Sequence, residues 1–148
     1  MARGVWRCAV LAAGLLCLLP AVAQAQPAPA VTSCSGQKVL NPGFELGALG
    51  QTQTVAISVS VPAGCHGTLS FGLHIETEET TTTTAYDTLT LKAGSVLLAS
   101  WSNLNHNTGY ALKSVVLSAG TVTLTFTAKE DLTLLTSFFV SQVTLSLS

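Results

Sequence analysis

Five carboxylates crowd two short stretches of this chain: Glu76, Glu78 and Glu79 in one, Glu130 and Asp131 in the other. Two carboxylates flanking one bond, one of them with a raised pKa, are what glycoside hydrolysis requires. Acidic residues beside a threonine-rich turn serve equally as a solvated edge that discourages sheet-to-sheet pairing, and that is the reading adopted. Three histidines, His66, His74 and His106, show none of the paired spacings of zinc sites. His74 alternates outward beside Glu76, which suits a surface His–Glu contact. No Gly-x-Ser-x-Gly elbow and no His-Glu-x-x-His run exists, so the chain is expected not to be an enzyme. Aromatic faces that stack on sugar C–H groups are available in Tyr86, Trp101 and Tyr110. The amide-rich stretch Asn103 to Asn107, with Asn103 and Asn105, lies between the last two. The same rings suit a core or loop-packing role, and both readings stand at this point.

Such groups need elements to position them, and the chain offers strands. Val55, Ile57, Val59 and Val61 alternate with small polar residues, as do Leu69, Phe71, Leu73 and Ile75. Leu89 with Leu91 and Val122, Leu124 and Phe126 repeat the pattern among threonines. Period two puts one face on a core and the other toward water, the mark of antiparallel sheet. Further strand candidates cover 96–101, 112–117 and 138–147. No segment after the N-terminal apolar run sustains helical periodicity, so the fold class is all-β: an antiparallel β-sandwich, of jelly-roll type, with seven or eight strands. Asp87 shares parity with Leu89 and Leu91, which aims its carboxylate inward. There it needs hydrogen bonds, a partner or a metal; capping of loop amides around Thr82–Thr84 is the expected role. The final strand switches parity between Phe138 and Val140 on one side and Val143, Leu145 and Leu147 on the other. A β-bulge at Ser141-Gln142 would restore both halves to one core.

The N-terminus reads as an export signal. Arg3 and Arg7 precede the apolar run Cys8–Leu19, and Ala21-Val22-Ala23-Gln24-Ala25 supplies a small-residue cleavage site. The expected organisation is a signal over 1–25, a Pro/Ala-rich spacer over 26–33 and a sandwich over 34–148. The apolar run is too short to span a bilayer, so no transmembrane segment is expected and the product is secreted. Cys8 and Cys17 leave with the signal. Cys34 and Cys65 then have one possible pairing in an oxidising compartment, a disulfide. A loose lipoprotein-type box at Val31-Thr32-Ser33-Cys34 is the alternative, with Cys34 as a lipid anchor. After cleavage four lysines face seven carboxylates, a balance that excludes nucleic acid as a natural partner.

Several segments, in order, resemble a known family. They are Cys34–Lys38 with Asn41-Pro42-Gly43-Phe44-Glu45, Leu69–Ile75, Glu79 with the threonine run into Ala85–Leu89, Ser102–Tyr110, Thr121–Leu124 and Glu130–Phe138. The set is similar to the accessory domain appended to secreted bacterial proteases and other hydrolases, itself similar to galactose-binding-like jelly rolls and carbohydrate-binding modules. Three departures stand out. Gly47–Gly50 replaces a longer stretch with a Trp, Gly72 stands where an aromatic is usual, and Ser141-Gln142 replaces an acidic pair. The resemblance implies a Ca²⁺ site built on Glu45 and the last strand, here Gln142, with Asp87 as a further candidate ligand. It also implies a non-catalytic binding module for a glycan or cell-surface polymer. The alternatives are a structural or protein-interaction sandwich without a sugar site, or a shortened remnant with an incomplete sheet.

Overall fold

The computed structural model describes residues 34–148; the expected signal over 1–25 and spacer over 26–33 lie outside the described residues. Eight strands follow one another: β1 (Gly36–Leu46), β2 (Thr52–Val61), β3 (Gly67–Thr77), β4 (Thr88–Ala93), β5 (Val96–Ser102), β6 (Ala111–Leu117), β7 (Gly120–Lys129) and β8 (Thr136–Leu147). One 3-10 turn, Asn103–Asn105, separates β5 from β6. Among the described residues no helix is long and apolar enough to cross a membrane.

The strands form two four-stranded sheets, ordered β1-β8-β3-β6 and β2-β7-β4-β5, with every pairing antiparallel. The pairing is nested: first with last, second with seventh, third with sixth, fourth with fifth. A long hairpin folded over on itself in this way gives the jelly-roll topology. The crossing from β1 to β2 around Gly47–Gln51 is short, and both sheets have four strands.

Period-two burial builds the core. β3 contributes Leu69, Phe71, Leu73 and Ile75, each essentially inaccessible; β4 adds Leu89 and Leu91, β7 adds Leu124 and Phe126. Each such side chain stabilises the fold by about 1.5–3 kcal/mol relative to exposure. Four rings meet edge-to-face in a chain that alternates between the sheets. Phe44 of β1 meets Phe126 of β7 at 5.2 Å, Phe126 meets Phe71 of β3 at 5.2 Å, and Phe71 meets Trp101 of β5 at 5.8 Å.

The irregularity expected in the last strand is present. On β3, Ser70 and Gly72 face Thr144 and Ser141, so β8 carries one extra residue there. Gln142 takes that place with φ of 52°. The bulge brings Phe138, Val140, Val143 and Leu145 to the same core.

Cys34 and Cys65 form the disulfide, with Cα atoms 5.4 Å apart. The turn Pro62-Ala63-Gly64-Cys65 presents Cys65 to it. The Cys65 N–H donates to Pro62 O at 3.1 Å, and Gly64 holds the positive φ of 82° that such a turn requires. A Cys34 sulfur held in this bond cannot also carry a lipid thioether, which corrects the lipid-anchor alternative. The bridge spans 31 residues, so replacing both cysteines by serine should lower stability by roughly 3–4 kcal/mol in chemical denaturation. A loss under about 1 kcal/mol would show that the bridge does not act by restricting the unfolded chain.

Candidate functional site

The outer face of the β1-β8-β3-β6 sheet carries a row of rings. Inward placement of Phe71, Leu73 and Ile75 sends Gly72, His74 and Glu76 outward on β3. In register across the sheet, His74 lies opposite Phe139 of β8, and Phe139 opposite Glu45 of β1. His74 stacks on Phe139 with centroids 5.6 Å apart and meets Tyr110 on its other side at 5.7 Å. Tyr110 lies over Gly72. A Cβ at that position would sit 3.2 Å from the Tyr110 ring, so the bare backbone at 72 is covered by a ring from the loop before β6. Tyr110 keeps 59% of its surface exposed.

His74 is the pinned centre of the row. Asn107 Nδ2 donates to Leu73 O at 3.1 Å, and Asn107 Oδ1 accepts from the Ile75 N–H at 2.8 Å. These backbone partners fix which end of the amide is oxygen. That oxygen lies 3.0 Å from His74 Nδ1, and Glu76 Oε1 lies 3.0 Å from Nε2. Both ring nitrogens therefore face acceptors, an arrangement that the imidazolium satisfies and neutral imidazole does not. The Glu76 hydrogen bond, followed by that of Asn107, raises the His74 pKa above its ordinary value, against a smaller opposing effect of burial. The His–Glu contact expected from strand parity is present.

The sequence-derived sugar patch divides. Trp101 belongs to the inner chain of rings rather than to the surface. Asn103 is buried and structural: its Oδ1 accepts from the Tyr86 N–H at 3.0 Å, and its Nδ2 donates to Thr84 O at 3.1 Å. Asn105 closes a capping box on Ser102, accepting from the Ser102 N–H at 2.9 Å. Tyr86 and Tyr110 are exposed. Of the five residues, Tyr110 joins the ring row, as does Asn107 at the end of the amide-rich stretch; Phe139 and His74 were missed as its companions. The outward parity of His74 and Gly72 was the available signal.

The proposed calcium ligands are not brought together. Glu45 is exposed opposite Phe139, and Gln142 is exposed in the bulge. Asp87 sits near Thr136, and Thr136 and Gln142 stand roughly 20 Å apart along β8 at the rise of an extended strand. Among the described residues no group of three His, Cys, Asp or Glu side chains is arranged to hold a metal.

Asp87 points inward as parity required, but its partners differ from those expected. With 0% exposure, it accepts from the Asp131 N–H at 2.8 Å and from Thr136 Oγ1 at 2.6 Å, not from Thr82–Thr84 amides. Thr136 Oγ1 also lies 2.7 Å from Thr77 Oγ1, and the Thr136 N–H donates to Glu130 Oε2 at 3.0 Å. Glu130, read from sequence as part of a solvated edge, is 5% exposed. Its tight turn out of β7, with the Glu130 N–H donating to Gln51 O at 3.0 Å, draws it under the loop. Burial, opposed by the Thr136 bond and assisted by Asp87 and Asp131, pushes its pKa up to about 7. These contacts stitch the β1–β2, β3–β4 and β7–β8 connections into one end of the sandwich.

No protein-family model matches the chain, and no curated protein shows significant sequence similarity to it.

A raised carboxyl pKa means that the folded state binds a proton more tightly than the unfolded state. Stability from Glu130 is therefore full below its unfolded pKa and is lost as pH rises through about 7. Denaturation at fixed pH should show stability falling between about pH 5 and 8 by on the order of 3 kcal/mol through this group. Glu130→Gln should flatten that slope. An unchanged slope in the variant would remove Glu130 as its source.

Proposed function

We propose that this chain is an exported, non-catalytic module that binds a glycan or surface polymer through the outer face of the β1-β8-β3-β6 sheet. The reading is carried by the exposed Tyr110 ring lying over Gly72 in one row with His74 and Phe139. A ring backed by sheet backbone presents its free face to solvent at little conformational cost, which suits stacking on sugar C–H groups. Asn107, Glu45 and Glu76 border the row with groups that can bond hydroxyls. The export reading rests on the N-terminal signal sequence and agrees with the Cys34–Cys65 disulfide. Glu130 has the raised pKa of a general acid, but its burial keeps it from a substrate bond, which supports a non-catalytic role.

A second reading, a protein-interaction role, is favoured by the edge strands. Leu112 and Val116 on β6 are 76% and 69% exposed, and Val96 and Leu97 on β5 are exposed as well. Apolar residues on open edges mark surfaces that seek a partner.

Titration of the disulfide-bonded domain against a glycan panel separates the two. Glycan binding should weaken by about tenfold in Tyr110→Ala, the loss of one stacked ring, with folding stability nearly unchanged. Trp101→Ala should instead destabilise the fold by roughly 3 kcal/mol and leave the affinity of the folded fraction intact. An absence of glycan binding, together with concentration-dependent association abolished by Leu112→Lys, would establish the interaction role instead.

A further inference from the structure

The charges around the ring row narrow its ligand. Glu45 flanks Phe139 on the β1 side, in direct register, while His74 flanks it on the β3 side. Glu76 lies two residues along β3 from His74, opposite Ser137, with 65% of its side chain exposed. Glu78 continues the same edge. Glu76, Thr77, Glu78, Leu135 and Ser137 line one open cleft of about 210 Å³ at the end of the row. Carboxylates thus border the rings on the β1 side and at the end where β3 runs into its loop.

No lysine among the described residues balances them on this face. Lys38 pairs with Leu145 and Lys113 with Phe71. Both partners point into the core, and residues directly opposite on neighbouring strands share a face. The two lysines therefore leave through the open edges of the sandwich, Lys38 beside a cleft shared with Ser60 and Leu145. Lys92 and Lys129 belong to the other sheet. The one cation on the face is the His74 imidazolium, whose charge is already taken up by Glu76. The row is a ring platform with an excess of negative charge.

We infer that the platform takes a glycan bearing protonated amines, a polymer of deacetylated hexosamine, with a sugar face on Tyr110 and ammonium groups toward Glu45 and Glu78. The inference rests on the reading that this face binds a glycan. A neutral glycan would leave the Glu45 and Glu78 charges uncompensated, and a uronate polymer would meet them as like charges. The exposed Tyr110 ring, seated on Gly72, offers a stacking face suited to a sugar.

Calorimetric titration of the full disulfide-bonded domain at about pH 5.5, where the sugar amines are protonated, tests this. The probes are deacetylated hexosamine oligomers, their N-acetylated counterparts of equal length, a uronate oligomer and polylysine. The deacetylated oligomer should bind at least about tenfold tighter than its acetylated counterpart, and the advantage should shrink with added salt. Glu45→Gln with Glu78→Gln, both on exposed side chains, should reduce that advantage while leaving the melting temperature unchanged. Tyr110→Ala should weaken binding of every oligomer. Equal or tighter binding of the acetylated or uronate oligomer overturns the amine preference and leaves glycan binding standing. Polylysine binding that matches the oligomer and depends on Tyr110 also overturns it, in favour of a basic peptide. Deacetylated-oligomer binding insensitive to Tyr110→Ala reduces it to polyelectrolyte attraction away from the row. No binding to any oligomer removes the glycan reading and this inference together.

Discussion

The four rings Phe44, Phe126, Phe71 and Trp101 interlock edge-to-face, drawn alternately from one sheet and the other. Each such pair adds about 0.5–1.5 kcal/mol beyond the burial of its area, and together they fix how the sheets face each other. Once Phe71 is committed inward, pleating leaves no freedom at its neighbours. Gly72 and His74 must face water, and β8 must bring Phe139 beside His74 on the same outer surface. A slip of one residue in β3 would bury His74 and Glu76 and expose Leu73 and Ile75. The platform outside is thus held in place by the register that the rings inside enforce.

The end of the sandwich obeys a different constraint. Asp87 and Glu130 are both buried, and among the described residues neither carboxylate is paired with a cation. Burial of such groups costs several kcal/mol unless hydrogen bonds or protonation relieve it. The two carboxyls are relieved differently. Asp87 collects a backbone N–H and the Thr136 hydroxyl, whereas Glu130 gains one N–H and leaves Oε1 without a partner. Glu130, buried with one oxygen unpartnered, has its proton affinity raised. The cost is tolerated where three loop connections must be tied with few residues, since a single carboxylate reaches amides from chain segments far apart in sequence.

Much of the fold is legible in the sequence because period two is a local signal. The parity switch after Val140 announced the bulge at Gln142, Asp87 was readable as inward from Leu89 and Leu91, and two cysteines left one pairing. Parity does not say how deep an edge strand sits or what lies opposite it. Trp101 and Tyr110 look alike in the sequence, each beside an asparagine-rich stretch. One faces Phe71 across the sandwich and the other covers Gly72 outside it, a distinction set by contacts between strands distant in the chain. Glu130 was misread for a related reason: acidic residues in a turn resemble a solvated edge unless the turn folds beneath its neighbours. Asn103 and Asn105 were read as ligand groups because amides serve turns and sugars through the same hydrogen bonds.

The outer row shows how a surface site can be rigid without being buried. Sugar stacking yields little free energy per ring, so most of it is lost if the ring must first be ordered. Here the ordering is done by the protein. Gly72 gives Tyr110 a flat backbone seat, Asn107 holds His74 by bonds to both flanking residues of β3, and His74 in turn fills the gap between Tyr110 and Phe139. A larger side chain at 72 would tilt the tyrosine, and a histidine without Asn107 would be free to rotate out of the stack. Gly72 and Asn107 are therefore as necessary to the platform as the rings themselves.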